Sequence, residues 1–301
     1  MPDVPVIPAE FLARMSRLPA EGGPSGAEWA RTAQRLLAEG FERWGLESDG
    51  ALRTGFTAVV APVLRDGEPL ALKVGWPSVD TEGEPLALRV WAGDGAARLV
   101  AALPSQGMLL LERLDPRVDL GTVDTETSLE VIGGLLARLH VPAPPALPAL
   151  STWSGRWLDE ATRRDALPRR MVARARGLHR ELTADAVCDA TLLHGDLHDE
   201  NVLAATREPW LAIDPQPRAG HPGFELHAVL RNRVDELGTG AALRWSVRRR
   251  TEVLCDAAGI DEETARRWTI VRCAMECVWA LDDDDADTLS FNIALAKALD
   301  G

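Results

Sequence analysis

LLHGDLHDENVL, residues 192–203, joins a short apolar run, Thr191 to Leu193, to a polar loop and then returns to the apolar Val202-Leu203-Ala204. The alternation reads as strand, loop, strand. Seven residues further on, WLAIDPQP (residues 210–217) sets Asp214 directly after another apolar strand, Trp210 to Ile213. Two carboxylates and an amide, Asp196, Asp214 and Asn201, thus stand at strand ends, where side chains can converge on one point. Phosphoryl transfer needs such a set. One Asp orients an acceptor hydroxyl and takes its proton. An Asn and a second Asp supply oxygen ligands, the type a hard cation such as Mg²⁺ prefers.

Upstream, the chain carries only two lysines, Lys73 and Lys297, among 33 basic residues. Lys73 lies inside an apolar strand-like segment, so it is not part of a background of surface charge. Ser25 and Glu28 have capping-box spacing, and Trp29, Ala33, Leu36, Leu37, Phe41 and Trp44 repeat at helical intervals, which predicts a helix over 27–44. Residues 58–64 and 69–74 read as strands around an Asp66-Gly67 turn, with Pro62 pointing to an edge or a bulge. Segments 86–91 and 96–103 are apolar but ambiguous, and 107–111 reads as a buried strand. Helical patterns cover 127–140, 161–182 and 240 onward, and the Pro-rich 141–150 reads as a rigid loop. The order predicts an α+β fold of two lobes: a small sheet lobe over residues 1–112 and a larger, mostly helical lobe over 113–301.

Composition narrows the function. At 301 residues, 46% hydrophobic and 26% charged, the chain is long enough for about two lobes with ordinary soluble cores. A net charge of −13 argues against nucleic acid and favours a cationic partner. The four cysteines, Cys188, Cys255, Cys273 and Cys277, are too scattered for a disulfide scaffold and read as buried thiols. The N-terminal stretch lacks the basic-then-apolar pattern of a signal peptide, and no apolar run approaches a membrane span. The expected location is the cytoplasm, with no membrane partner; the sequence leaves the oligomeric state open.

HGDLHDEN resembles the catalytic loop of the aminoglycoside phosphotransferases, which share the protein-kinase fold. The kinase pattern His-x-Asp-x-x-x-x-Asn falls on His194, Asp196 and Asn201. AIDPQP, ALKVGWP, LLLERLDP and LLARLHVPAP narrow the resemblance to the aminoglycoside and hydroxyurea antibiotic resistance kinases, over residues 50–300. The resemblance implies a protein-kinase-like two-lobed fold, with a small antiparallel-sheet N-lobe and a larger, mostly helical C-lobe, using ATP and Mg²⁺. It implies Asp196 as the catalytic residue and Asn201 and Asp214 as the metal ligands. Lys73 corresponds to the strand lysine on the α- and β-phosphates, with Glu84 behind it. The loop Arg53-Thr54-Gly55-Phe56-Thr57, with Thr54, Gly55 and Thr57, covers the phosphates through backbone N–H groups, and Glu112 to Leu114 is the adenine hinge. The implied activity is transfer of the γ-phosphate to a hydroxyl of a small cation, with streptomycin or a related aminoglycoside foremost. The alternatives are another small-molecule alcohol, hydroxyurea, or nucleotide binding without turnover.

The chain departs from the family pattern at GHPGFEL (residues 220–226), where His221 and Glu225 replace two Asp residues. Glu225 is expected to keep a structural hydrogen bond; the effect of His221 stays open. His194 and His198 are expected to be structural. Trp153 and Trp157, four apart, read as a core stripe or a substrate wall. The acidic run Asp282, Asp283, Asp284 and Asp285 reads as a solvated helix end. Alternatively, with Trp279, Asp199 and Glu200, it reads as the wall of a site for a cationic acceptor.

Overall fold

The computed structural model describes residues 3–20, 22–79 and 81–300. Its helices in chain order are α1 (Ala9–Met15), α2 (Gly26–Trp44), α3 (Glu84–Trp91), α4 (Thr125–Leu139), α5 (Leu150–Arg163), α6 (Arg169–Leu182), α7 (Leu226–Leu230), α8 (Ala241–Ala258), α9 (Glu262–Asp282) and α10 (Ala286–Leu299). Its strands are β1 (Glu47–Ser48), β2 (Arg53–Thr54), β3 (Ala58–Arg65), β4 (Glu68–Gly75), β5 (Leu99–Leu103), β6 (Met108–Glu112), β7 (Asp115–Asp119), β8 (Thr191–Leu193), β9 (Val202–Ala204), β10 (Trp210–Ala212) and β11 (Arg218–Gly220).

The chain divides into two compact units. One takes the chain up to Pro116 together with Ala204–Gln216; the other takes Arg117–Leu203 and the chain from Pro217 onward. This corrects the expectation that everything after residue 112 belongs to the helical lobe. Ala212 N–H donates to Gly95 O at 2.9 Å and Ala97 N–H to Ala212 O at 2.9 Å. Arg207 Nε donates to Glu112 Oε1 at 2.8 Å. These bonds return 204–216 to the sheet unit and carry Asp214 with it.

The sheet of the first unit is antiparallel, in the order β1-β3-β4-β6-β5, with β2 also pairing β3. Lys73 sits on β4 opposite Val60 of β3 and Leu109 of β6, so strands flank it on both sides. Pro62 falls within β3, a strand with neighbours on both sides. Its carbonyl accepts from Asp49 N–H at 3.0 Å, on the side where β1 and β2 leave a gap. In a strand the N and C=O of one residue face the same way, so the N–H that proline lacks is the return bond to Asp49, and β1 ends one residue before it, at Ser48. Helix α2 begins at the predicted capping box, with Ser25 and Glu28 satisfying each other's backbone N–H, and Gly45 ends it in the left-handed conformation. It buries Trp29, Ala33, Leu37 and Phe41 against Leu72, Val74 and Met108 of the sheet.

In the second unit the predicted helix over 161–182 is two helices, α5 and α6, broken before Pro168, which caps α6. The C-terminal segment is likewise three helices: Gly259 ends α8 in the left-handed conformation and Asp285 caps α10 through Thr288 N–H. The four cysteines are buried, and none forms a disulfide. No helix among the described residues is long and apolar enough to cross a membrane.

His227, wholly buried on α7, hydrogen-bonds through Nε2 to Asn292 Oδ1 at 2.8 Å, and its Nδ1 lies 3.7 Å from Glu276 Oε1. Burial holds its pKa down to about 4, against the upward pull of Glu276. An unfolded chain titrates this ring near 6.5. Between those values the unfolded chain binds a proton that the folded chain refuses. Stability is therefore unaffected by His227 above pH ~6.5 and falls as pH drops through the window. His227→Gln, which keeps a donor for Asn292, is expected to lose about 2–3 kcal/mol less stability than the parent between pH 7 and 4.5. Urea unfolding of both proteins at the two pH values measures it; equal losses would refute it.

Candidate active site

The loop 194–201 hangs between β8 and β9, and β8 pairs antiparallel with β11, Leu193 opposite Arg218. Gly195 takes a φ of 83°, which turns the chain sharply before Asp196. The buried Glu225 carboxylate accepts both N–H groups at this turn, His194 at 2.6 Å and Gly195 at 3.0 Å. Burial tends to raise Glu225, but bonds and charges from His140 and His194 and the Gly195 N–H hold it below the usual range. Glu225 therefore does the structural work expected of it, and as an anion. His221 keeps loop support by another chemistry: its Nδ1 accepts Gly223 N–H at 3.0 Å, and its ring stacks on Trp268. Burial lowers the pKa of His221, which keeps that nitrogen unprotonated and able to accept.

Asp196 is almost fully buried, and its Oδ1 accepts from Arg231 Nη2 at 2.5 Å. His198 Nε2 lies 3.8 Å from Oδ2. Arg272 Nη1 donates to Gly195 O at 2.9 Å. Burial pushes the Asp196 pKa up, yet Arg231, His198 and Arg272 together outweigh it and hold the carboxyl below the usual aspartate range. Asp196 is thus ionised at neutral pH, a hydrogen-bond acceptor of low basicity. His194 Nδ1 accepts Asp196 N–H at 3.3 Å, a structural role. Asn201 Nδ2 donates to Asp196 O at 2.9 Å, which leaves its amide oxygen for a cation.

In the sheet unit Lys73 Nζ donates to both Glu84 oxygens at 2.7 Å and also pairs with Asp214 Oδ1. Glu84 begins α3 with Pro85 behind it in the first turn, where proline costs no hydrogen bond. Burial pushes Glu84 up to about 7 against the pull of Lys73. Burial works to lower Lys73, but Asp214 and Glu84 overcome it and raise its pKa, so the lysine stays charged. Asp214 is half exposed, with a left-handed φ of 57°. That conformation costs of order 1–3 kcal/mol, and such costs concentrate at functional sites. A cavity of about 190 Å³ is lined by Lys73, Glu84, Thr57, Gly75 and Gly107.

Of the remaining nucleotide-side expectations, Thr54 lies on the exposed β2, and Gly55 N–H closes the loop onto Ala58 O at 2.8 Å. Glu112 ends β6 with its N–H bound to Arg98 O at 2.9 Å and its carboxylate on Arg207. Leu114 is buried.

Asp199 requires a correction. It is buried, accepting from Ser128 Oγ at 2.6 Å and Arg233 Nε at 2.5 Å, so it anchors the loop inward and is not a substrate carboxylate. Glu200, its neighbour in a 3₁₀ turn, is exposed. Trp279 joins Trp153 and Trp157 in a half-buried cluster, ring centroids 5.7 and 5.0 Å away, and Arg218 lies 3.7 Å over Trp153. The acidic run is the turn between α9 and α10. All four aspartates are exposed; Asp282 pairs with Arg164 at 2.9 Å and Asp285 caps α10. Arg231, Arg233 and Arg272 were not singled out from sequence, because nothing separates them there from 28 other arginines.

The profile described as aminoglycoside/hydroxyurea antibiotic resistance kinase matches residues 43–284. The chain is 39% identical over 291 residues to a streptomycin 6-kinase of Streptomyces glaucescens, covering 93% of each chain. It is 40% identical over 307 residues to a hydroxyurea phosphotransferase of Kitasatospora aureofaciens, covering 98% of this chain and 86% of that one. Among solved structures, a choline/ethanolamine kinase family protein from Mesorhizobium loti superimposes with a TM-score of 0.60 at 17% identity, covering 88% of this chain and 94% of the other.

Proposed function

The chain belongs to the aminoglycoside/hydroxyurea antibiotic resistance kinase family, and on that premise we propose that it transfers the γ-phosphate of ATP to a hydroxyl of a small cationic antibiotic, streptomycin or a related aminoglycoside, and so inactivates it. The observation that carries this reading is an ionised, buried Asp196 held by Arg231, with Asn201 beside it offering an amide oxygen. A carboxylate of low basicity suits a loose transition state, in which the hydroxyl needs orientation more than early deprotonation. Asp196 accepts the hydroxyl hydrogen bond and aims the oxygen lone pair. Lys73, kept cationic by Glu84 and Asp214, holds phosphate oxygens.

The oxygen donors suit magnesium, each in its own unit: Asp214 has a half-exposed carboxylate and Asn201 an amide oxygen, both hard ligands. A magnesium ion held by such ligands would neutralise phosphate charge. A cytoplasmic location, where ATP is at hand and four buried free thiols are at home, fits this reading.

Hydroxyurea is the second acceptor to test, because a hydroxyurea phosphotransferase is similar over nearly the whole chain. ADP release in a panel of streptomycin, a 4,6-linked aminoglycoside and hydroxyurea decides between them. Turnover of streptomycin alone supports the proposal; no turnover of any acceptor overturns it. Charge offers a further check. All four aspartates of the acidic run are exposed, and Asp283 and Asp284 are the two outside the capping and Arg164 contacts of their neighbours. Replacing both by Asn is expected to raise KM for a dicationic acceptor severalfold at low salt, with the gap closing near 0.5 M salt, where the Debye length is only about 4 Å. An equal KM at every ionic strength would make the run a solvated turn.

A further inference from the structure

Helix α1 is fastened to the sheet unit by Phe11 and Met15, both buried, with Phe11 edge-on to Trp29 at 6.1 Å. Between these anchors Arg14 faces outward and reaches the loop 53–57. Its Nη1 donates to Phe56 O at 2.6 Å and its Nη2 to Gly55 O at 2.9 Å, while the guanidinium lies 5.2 Å from the Phe56 ring. Phe56 is itself 77% exposed, so it anchors nothing in the core. The guanidinium fork therefore grips the two successive carbonyls at the loop tip from outside.

The grip sets the direction of the opposite faces of the same two peptides. In a trans peptide, C=O and N–H point opposite ways. The N–H groups of Phe56 and Thr57 therefore point away from Arg14, and among the described residues neither donates a hydrogen bond. Thr57 lines the cavity that holds Lys73 and Glu84. Successive free N–H groups beside a lysine make an anion-binding cradle. The chain that follows α1 lines the same cavity with Gly22 and Gly23, and a Cβ on Gly23 would meet Pro77 O at 2.8 Å, so the N-terminal segment is closely fitted there. Arg14 lies outside the stretch that the family profile matches, which begins at residue 43.

We propose that Arg14 is a positioning residue that clamps the phosphate-covering loop from its outer side, presenting the Phe56 and Thr57 N–H groups to the phosphates of the nucleotide. This rests on the reading of the chain as a nucleotide-dependent phosphotransferase. Without the clamp the loop samples other conformers, and phosphate binding is weakened by the fraction of time the cradle is lost.

The test compares the full chain with Arg14→Met, which keeps the aliphatic stem, and Arg14→Lys, which keeps the charge without the fork. Calorimetric titrations use ATP with Mg²⁺ and, separately, adenosine. Arg14→Met is expected to weaken ATP binding roughly tenfold and leave adenosine unchanged. Arg14→Lys should recover part of the loss. Without nucleotide, exchange of the Gly55 amide, bonded to Ala58 O, should be faster in Arg14→Met. Equal ATP affinity in parent and variant overturns the clamp, and so does an equal loss for adenosine, which has no phosphates. A parent that binds no ATP would overturn the functional reading instead, and the Gly55 exchange rate would still decide whether Arg14 holds the loop.

Discussion

Replacing Asp196 by Asn is expected to lower kcat by roughly 10²–10⁴-fold with little change in KM for ATP. The amide keeps the shape and can still accept from Arg231, so the loop stays in place. What it loses is the anionic oxygen that receives the acceptor hydroxyl. The effect belongs to the transition state, where the oxygen's proton is lost as the bond to phosphorus forms, so it falls on kcat. Steady-state kinetics with an unchanged melting temperature is the measurement, and retained turnover would remove Asp196 from the role. The same geometry fixes a pH signature. Arg231 is the largest charge holding Asp196 below its usual pKa against burial. Activity should fall only as pH drops through that depressed value. With Arg231→Met, burial prevails, the carboxyl titrates higher, and the acid limb of the pH–rate profile moves to higher pH. An unmoved limb would separate Arg231 from the base.

The chemistry-bearing residues were legible where a rare residue type met a fixed spacing. Asp196 and Asn201 stand five apart after an apolar strand, Asp214 ends another, and Lys73 is one of two lysines in the chain. Their supports were not legible, and for physical reasons. Arg231, Arg233 and Arg272 reach the loop from the residue that caps α7, from the turn after it and from α9, and an arginine's length lets any of many positions supply such a contact. Asp199 and Glu200 are adjacent acids with no distinguishing context. Only the 3₁₀ turn, which sends neighbours to different faces, buries one and exposes the other. His221 takes a role that rests on a single bond: its neutral imidazole accepts Gly223 N–H, which no spacing in the sequence announces. The unit boundary was misplaced because 204–216 returns to the sheet unit through backbone bonds to Gly95 and Ala97, which leave no composition signal. The same holds for Arg14, an exposed arginine on a seven-residue helix whose partners are carbonyls 41 and 42 residues away.

Replacing Lys73 by Met is expected to lower kcat/KM for ATP by about 10²–10³-fold, the size seen when one preorganised charge or donor is taken from a transferring group. Two consequences follow inside the protein, and they differ in sign. Asp214, half exposed, loses an ion pair but keeps access to water. Glu84 is buried and already pushed up to about 7 with the lysine present. Without the lysine, burial acts unopposed and Glu84 takes up a proton at neutral pH instead of remaining a bare buried anion. Stability in Lys73→Met should therefore decline as pH rises from 6 to 9, because ionising Glu84 then has no compensating cation. Adding Glu84→Gln removes that titration. The double variant should be as inactive as Lys73→Met, yet its stability should be flat across the same range. If the double variant instead recovers ATP affinity, the loss in Lys73→Met came from an uncompensated Glu84 charge. If kcat/KM is unchanged in Lys73→Met itself, the lysine does not hold phosphate at all.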